Sequence, residues 1–568
     1  MKNRKSIAIL GGGPAGLFMF KRLVDAKATD IDITIFEKNN RLGAGMPYSV
    51  DGANDEHVTN VSGNEIPELV TPLADWIRTV PKDTLDKFRI EPKRFNEYKV
   101  LPRLLFGQYL TAQFTQLQKL ANEAGMNYQI HYNSPVTDIA DKPQQETIVV
   151  QIAGETKFEF DKVVVCTGHK WPVRHEGTVP GWFDAPYPPL KLALKLNHAV
   201  AIKGSSLTAV DAIRTLSRYN GTFSKNSAGI LGYQTHSDSP DFKMVMHTRG
   251  GMLPAVRFHL EDPHLANDSL LSKEEIADHI KSNDGFLSLD FIFENDFKLP
   301  IREKDPEFYE QIKHMNLEQF VEAMLQRREH VNPFNLLEAE YKEAEKSIKR
   351  RESVYWKEML GVLSFALNYP AKYLSAEDMQ RMRQTLSPLI SIVIAYMPQS
   401  SSEEMLALHK AGALDLVAVG DDSTVTPGED GGAIYHYTDE DGNKTHVHYN
   451  TYVDCVGQPH LAFEDVPFKS LIEDETVSPA KLKFKSAEEG KAALEEGKKV
   501  TQSPNGDYYL TVPGVAINDN FEVADKYGAL NDRIYIMAVP LIGGLNPDYS
   551  GLDFCEAASG IIVKRLLV

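Results

Sequence analysis

The segment Ser6-Ile7-Ala8-Ile9-Leu10-Gly11-Gly12-Gly13-Pro14-Ala15-Gly16 constrains this chain more than any other, because a short apolar run enters a Gly-x-Gly-x-x-Gly turn that opens a helix. Gly11 permits the tight reversal out of the strand, Gly13 leaves the backbone bare toward a pyrophosphate, and Gly16 lets the helix pack closely on the sheet. The helix start, with Pro14 and Ala15 in its first turn, aims free N–H groups at the phosphates. A second strand, residues 31–36, ends at Glu37, 21 residues past Gly16, where a carboxylate can accept the hydroxyls of an adenosine ribose. Strand, glycines, helix, strand and acid stand in the order a dinucleotide site needs.

A chain of 568 residues exceeds a single core and predicts two or three domains. Its 42% hydrophobic and 25% charged residues are those of an ordinary soluble globular protein. The net charge of −18 argues against nucleic acid or an anionic membrane as the main partner, while leaving room for a local basic pocket and an anionic substrate. The longest apolar run, Leu389 to Met397, is far short of the ~20 residues that cross a bilayer. Lys2, Arg4 and Lys5 lead into Gly11 too soon for a cleavable signal segment, so the expected location is the cytoplasm. Cys166, Cys455 and Cys555 have neither redox nor metal spacing, which speaks for a reducing compartment and against a flavin disulfide reductase.

Beyond Glu37 the chain reads Glu37-Lys38, then Gly43-x-Gly45-x-Pro47-Tyr48, then His57-x-x-Asn60-Val61. This succession resembles the FAD/NAD(P)-binding proteins related to flavin-dependent N-hydroxylating mono-oxygenases. The resemblance implies that Lys38, Gly45, Pro47, Tyr48, Asn60 and Val61 lie along a flavin. It continues at Leu101 to Leu110, where it implies that Arg103 contacts the cofactor or its neighbourhood, although Leu105, Tyr109 and Leu110 equally suit an amphipathic helix. A hairpin over 147–152 and 157–161 precedes the buried strand Val163 to Cys166, which breaks at Thr167-Gly168 where the chain passes under the cofactor toward a second domain. His169 reads as a neighbour of that crossing rather than as a base.

A second strand-turn-helix follows at Ala199 to Ala212, but Gly204 is the one glycine of its turn. Glycines alone would make this weak. Gly204-Ser205-Ser206-Leu207-Thr208-Ala209-Val210-Asp211 resembles the nicotinamide-nucleotide turn of the same flavoproteins, which implies contacts from Gly204, Ser205, Ser206 and Thr208. The next strand, Met244 to His247, runs into Thr248-Arg249. An arginine where an NAD domain places an acid can pair with a 2′-phosphate, so the expected nucleotide is NADPH rather than NADH.

From about 268 to 385 the chain turns to long polar helices. Asn316 is the expected N-cap of one with an apolar stripe, and the mixed charges of Glu338 to Glu352 read as a solvated face. Strands 434–437 and 444–449 flank Asp441-Gly442, read as a two-residue hairpin turn. That register sets Tyr437 opposite His446 and Tyr435 opposite His448, leaves His436 on the other face, and so predicts no metal site from the three histidines. Thr451 to Gly457 repeats the layout of 163–168 as the exit from the second domain. The stretch from Ile534 through Gly543 to Phe554 resembles the C-terminal flavin loop of the family, implying that Gly544, Pro547, Ser550, Gly551 and Leu552 present amides to the pyrimidine end of the isoalloxazine.

The expected architecture is α/β, with two Rossmann-like dinucleotide-binding domains and a helical insertion. The FAD domain takes residues 1–194 and 459–568, the NADPH domain 195–267 and 386–458, and the insertion 268–385 is a candidate substrate lid. The resemblance covers roughly 1–265 and 415–568. It implies hydride transfer from NADPH to FAD and a mono-oxygenase in which molecular oxygen reacts at the flavin C4a as a hydroperoxide and hydroxylates a small amine or amino acid nitrogen. No acid–base pair or nucleophilic triad is evident, and such chemistry requires none. Two other readings stand beside it: an NADPH-dependent reductase without oxygen insertion, and a non-catalytic flavin-binding redox sensor.

Overall fold

The computed structural model describes residues 4–169, 171–260, 270–458, 460–547 and 551–568. An apolar run without alternation belongs inside a parallel sheet, and β1 (Lys5–Leu10) takes that place, with Ile7 to Leu10 wholly buried. The chain continues through α1 (Pro14–Asp25), β2 (Ile31–Phe36), α2 (Arg103–Glu123), β3 (Asn127–His131) and β4 (Lys162–Val165). β1 lies parallel to β2 on one side and to β4 on the other, with Leu10 opposite both Phe36 and Val165. The strand order therefore reverses at β1, and a crevice opens at its C-terminal end, where the glycine turn sits. Between β3 and β4 a small antiparallel sheet, Val136–Lys142, Thr147–Ile152 and Lys157–Phe160, contains the expected hairpin.

The second unit starts with β5 (Trp182–Phe183), β6 (Ala199–Lys203), α3 (Leu207–Asn220) and β7 (Lys243–Thr248). The chain then enters a helical region whose main members are α4 (Leu317–Glu329), α5 (Pro333–Arg350), α6 (Tyr355–Asn368), α7 (Ala376–Arg381) and α8 (Ser387–Val393). It returns through α9 (Gln399–Lys410), β8 (Leu414–Ala418), β9 (Thr424–Pro427), β10 (Ala433–Thr438), β11 (Lys444–Tyr449) and β12 (Thr451–Asp454). β5, β12, β6, β7 and β8 form a second parallel sheet in that order, and its order reverses at β6 as the first reverses at β1.

In the helical region Asn316 caps α4 reciprocally with Gln319 (2.9 and 3.0 Å). Its core gathers Phe293, Phe297, Phe320, Leu360 and Leu363, and extends past residue 385 to Leu386, Leu389 and Val393. It also takes in Ala480, Leu482 and Val512 from a sheet of β13 (Pro479–Lys483), β14 (Val500–Gln502) and β15 (Tyr508–Val515). The charged run on α5 is not solvated throughout. Glu340 is buried and ion-paired to Arg328 of α4 (2.7 Å) and Lys357 of α6 (3.0 Å), because a carboxylate wedged between helices needs a counter-charge.

β16 (Glu522–Ala524), β17 (Leu530–Ile536) and α10 (Leu552–Leu566) end the chain and complete the first sheet, in the order β16, β17, β4, β1, β2, β3. α10 lies beside α1, where Glu556 meets Arg22. Among the described residues no helix is long and apolar enough to cross a membrane.

The histidine hairpin has a different register from the one its sequence suggests. His436 lies opposite His446, and Ile434 opposite His448, because the turn spans Asp439 to Asn443 rather than two residues. The Asp439 carboxylate accepts the backbone N–H groups of Asp441 (3.1 Å) and Asn443 (2.7 Å), which holds the longer loop. His436 and His446 consequently share a face, their Nδ1 atoms 2.6 Å apart, while His448 Nε2 stands 3.0 Å from the Gly431 carbonyl. Among the described residues no group of three or more His, Cys, Asp or Glu is arranged to hold a metal ion.

Candidate functional site

The first turn is closed by backbone contacts that only glycine permits. Gly11 has φ +115°, donates its N–H to the Phe36 carbonyl (2.8 Å), and would bring a Cβ within 2.6 Å of the Cys166 carbonyl. A Cβ on Gly16 would stand 2.1 Å from the Gly11 oxygen. Gly13 instead faces the 43–48 loop, with Gly45 its nearest neighbour at 3.3 Å. The N-terminus of α1 has no side-chain cap and no acid in its first turn, so the amides around Pro14, Ala15 and Gly16 are left for an anion. By contrast, Ser272, Asp305, Asn316 and Asn332 cap helices of the helical region. Glu37 is buried at the rim and accepts the N–H groups of Gly12 and Asn39, both at 2.8 Å, with Lys38 exposed beside it.

The second turn repeats this construction. Gly204 has φ +101°, donates to the His247 carbonyl (2.8 Å), and its Cβ would lie 3.1 Å from the Cys455 carbonyl. Gly204, Ser206 and Ala209 thus stand at the spacing of Gly11, Gly13 and Gly16, and α3 is again uncapped and without a first-turn acid. Ser205 is drawn aside to the Met252 carbonyl (2.7 Å), while Thr208 is partly exposed on the first turn. Since Phe36 and His247 hold equivalent positions, Thr248 stands where Glu37 stands. Among the described residues its hydroxyl is buried without a partner, and Arg249, 77% exposed, reaches only the exposed Asp421 at 3.5 Å.

Between the two units lies a buried polar seam. Arg103, at the start of α2, donates Nε to the Val58 carbonyl (2.9 Å) and forms a two-pronged pair with Asp211 of α3 (2.5 and 3.2 Å). The Tyr187 hydroxyl donates to the same carboxylate (2.6 Å). His57 accepts the Asn54 N–H at Nδ1 (3.0 Å) and so presents an Nε2 donor to the Asp211 carbonyl (3.1 Å). Burial opposes ionisation of Asp211, but the charge of Arg103 and the bonds from Tyr187 and Arg103 outweigh it and hold the carboxyl below its ordinary range. Burial keeps His57 neutral by lowering its pKa. Nearby, Arg257 binds the Asn60 carbonyl, Ser62 and Glu65, so the Asn60–Val61 strand is gripped through its backbone while the Asn60 side chain stays exposed. Tyr48 packs edge-on against Phe106 (4.9 Å), and burial pushes its hydroxyl up to about 12. Pro47 and Gly168 are exposed.

The crossing segments meet the C-terminal loop. His460 Nε2 lies 3.1 Å from the Pro547 carbonyl, and its ring covers Gly543, where a Cβ would be 1.9 Å from Nδ1. Gly544 is pressed on the Pro513 carbonyl (2.2 Å from a Cβ). Gly551 is an uncapped N-cap to α10, and Leu552 is buried in that helix's first turn. Ser550 lies outside the described residues. The spacing of Gly204, Ser206 and Ala209 was the available signal for the second turn. Asp211 stood in that turn without a sign of its partner, and Tyr187 and His460 had no local signal, since their partners are remote in sequence.

Bare glycines, two uncapped helix starts at strand-order reversals and an acid at one rim suit two dinucleotides. The thiols of Cys166 and Cys455 are pushed well up by burial and that of Cys555 up to about 12, so none is poised as a thiolate.

Comparison with known proteins agrees with this layout. Residues 8–170 match the family model described as FAD-NAD(P)-binding, and residues 272–394 match the YdhS-like middle domain. The YdhS protein of Escherichia coli (strain K12) is 26% identical over 481 residues, 83% of this chain and 86% of the relative. Among solved structures, the ornithine hydroxylase PvdA of Pseudomonas aeruginosa overlays with a TM-score of 0.47 at 11% identity, covering 99% of this chain and 98% of the other. An L-lysine 6-monooxygenase from Pseudomonas syringae gives 0.46 at 12% identity, with 99% of each chain covered. Residues 8–170 therefore form an FAD-NAD(P)-binding domain, and residues 272–394 are similar to the YdhS-like middle domain.

Proposed function

We propose that this chain is an FAD- and NADPH-dependent mono-oxygenase that hydroxylates a small molecule, most naturally at the nitrogen of an amine or amino acid. The observation that carries the two-nucleotide part is the repeated turn, with Glu37 at the rim of one copy and Thr248-Arg249 at the rim of the other. A carboxylate selects ribose hydroxyls, whereas a hydroxyl followed by a free guanidinium suits a 2′-phosphate. FAD, when bound, supplies the redox and oxygen chemistry. Gly11, Gly13, Pro14, Ala15, Gly16 and Gly45 admit its pyrophosphate, Glu37 and Lys38 border its ribose, and Gly544, Pro547, Gly551 and Leu552 lie toward its ring. Tyr48, Asn60 and Val61 flank it, and Arg103 fixes the seam beside it. The helical region, packed on the loop through Leu545, excludes water from the substrate side. The raised thiol pKa values disfavour disulfide chemistry.

The test is to reduce the FAD-loaded protein anaerobically with NADPH and mix it with oxygenated buffer in a stopped-flow spectrophotometer. Reoxidation in two phases, through a species spectrally distinct from reduced and oxidised flavin, is the expected outcome, with amines hastening the second phase. Direct single-phase return would make the protein a reductase. A flavin that NADPH does not bleach would leave a sensor.

A further inference from the structure

The register of the histidine hairpin brings together two side chains that the proposed function leaves unused. His436 of β10, half-buried, and His446 of β11, exposed, lie directly opposite each other on one face of the sheet. Their Nδ1 atoms are 2.6 Å apart and their rings stand at 69°. A third strand orients one of them. Thr426 of β9 places its hydroxyl 2.9 Å from His436 Nε2, and an Nε2–H that donates there leaves the Nδ1 lone pair of His436 aimed at His446. Such a partner on the far ring nitrogen is the usual support of a ligating histidine. Tyr435 and Tyr449 turn to the other face and pack on His247, with ring centres 4.0 and 5.2 Å away, which fixes both strands from behind. His448 shares the face of His446, but its Nε2 is taken up by the Gly431 carbonyl at 3.0 Å. The donor set is therefore two imidazoles.

Facing lone pairs repel at so short a distance, so the pair favours a cation between its nitrogens, a proton or a metal ion that displaces it. The surroundings draw cations as well, since the stretch from Asp421 to Asp441 carries seven carboxylates and no lysine or arginine. The spacing discriminates among metals. With metal–imidazole bonds of about 2.0 Å, adjacent nitrogens stand about 2.8 Å apart around a square-planar ion and about 3.3 Å apart around a tetrahedral one. The 2.6 Å between His436 and His446 is closer to the first. Square-planar nitrogen sites suit Cu(II), which also heads the affinity order of the divalent first-row metals. We propose that His436 and His446 form a two-histidine chelate for Cu(II), held through both Nδ1 atoms, with the remaining positions of the ion open to water. The site lies on the exposed face of the hairpin and does not depend on the flavin reading.

The test is equilibrium dialysis of the untagged full-length chain against glycine-buffered Cu(II), with copper counted per chain and its electron paramagnetic resonance spectrum recorded. One tight Cu(II) per chain is expected, with a spectrum split by two ring nitrogens, and Zn(II) should bind about tenfold or more weakly. Because the second imidazole acts at high effective concentration, His436→Gln and His446→Gln should each weaken Cu(II) binding about a hundredfold. His448→Gln should leave it unchanged. Urea unfolding of the metal-free variants reports that the sheet is intact in each. Single variants that bind as tightly as the parent would mean that the imidazoles act alone, and would overturn the chelate. So would a tight copper that survives in the double variant, since it would sit elsewhere among the 17 histidines. Tighter binding of Zn(II) than of Cu(II) would equally overturn the square-planar assignment.

Discussion

Arg103 and Asp211 meet at 2.5 Å across the seam between the two nucleotide units, with side chains 16% and 6% exposed. Each unit contributes one charge. Each charge finds its counter-charge in the other unit, so the pair, with the buried Arg257–Glu65 pair beside it, ties the relative placement of the two turns. Tyr187 and His57, from the outgoing linker and the first unit, complete the hydrogen bonding around Asp211.

Removing one charge should cost far more than removing both. Asp211→Asn leaves the Arg103 guanidinium buried without its counter-ion, an effect of about 3–5 kcal/mol. Asp211→Asn with Arg103→Met should recover much of it, and urea unfolding of the four proteins of the cycle checks this. Because the Asp211 carboxyl is held below its ordinary value, its stabilisation is present above pH ~4 and is lost as pH falls through the folded value.

The glycines of the first turn divide into two kinds. A methyl at Gly16 collides with the Gly11 carbonyl at 2.1 Å, so Gly16→Ala should impair folding itself. A methyl at Gly13 meets nothing nearer than Gly45 at 3.3 Å and projects where the pyrophosphate is proposed to lie. Gly13→Ala should therefore unfold near the parent's temperature when both are stripped of flavin, yet bind FAD about tenfold or more weakly. Equal FAD affinity in a flavin-fluorescence titration would remove Gly13 from the site.

What could be read from the sequence was what is local. The apolar strands 7–10 and 163–166, the turns they enter and the Asn316 cap depend on neighbours within a few residues, and the structure has them. The second turn, with one glycine, was legible through its likeness to the nicotinamide-nucleotide turn of the family, and Ser206 and Ala209 keep the spacing of Gly13 and Gly16. The hairpin register was not, since it turns on whether Asp439 captures two backbone amides. Glu340 looked solvated because helical periodicity says nothing of Lys357 on a neighbouring helix. Arg103 and Asp211 were both in view, but nothing local pairs residues 108 positions apart.

Nucleotide choice should reside in Thr248 and Arg249. Among the described residues Arg249 is held only by a 3.5 Å contact with an 88% exposed aspartate, so it can turn to a 2′-phosphate. Arg249→Ala should raise KM for NADPH about ten- to a hundredfold and leave KM for NADH nearly unchanged, the scale of a lost charge-assisted hydrogen bond. Thr248→Glu with Arg249→Ala should favour NADH. The check is the rate of flavin bleaching at varied concentrations of each nucleotide.

His247 offers a pH test independent of any ligand. It is 1% exposed and lies stacked on Tyr435 with ring centres 4.0 Å apart, and the backbone of Ile202 and Val245 beside its ring opposes the effect of burial only in part. Burial lowers its pKa from 6.5 to about 4. Unfolding exposes the imidazole to water, where it takes up a proton at any pH below 6.5, while the folded protein refuses that proton until near pH 4. The unfolded state therefore binds more protons in this interval, and stability must fall as pH falls from 6.5 toward 4, with a limiting slope of about 1.4 kcal/mol per pH unit for one such group. His57, also lowered by burial, adds to the same trend. His247→Phe keeps the aromatic stack and removes the titration, so its stability between pH 4 and 6.5 should decline less steeply than the parent's. Parallel curves from urea unfolding across that range would show that His247 is already protonated in the folded protein.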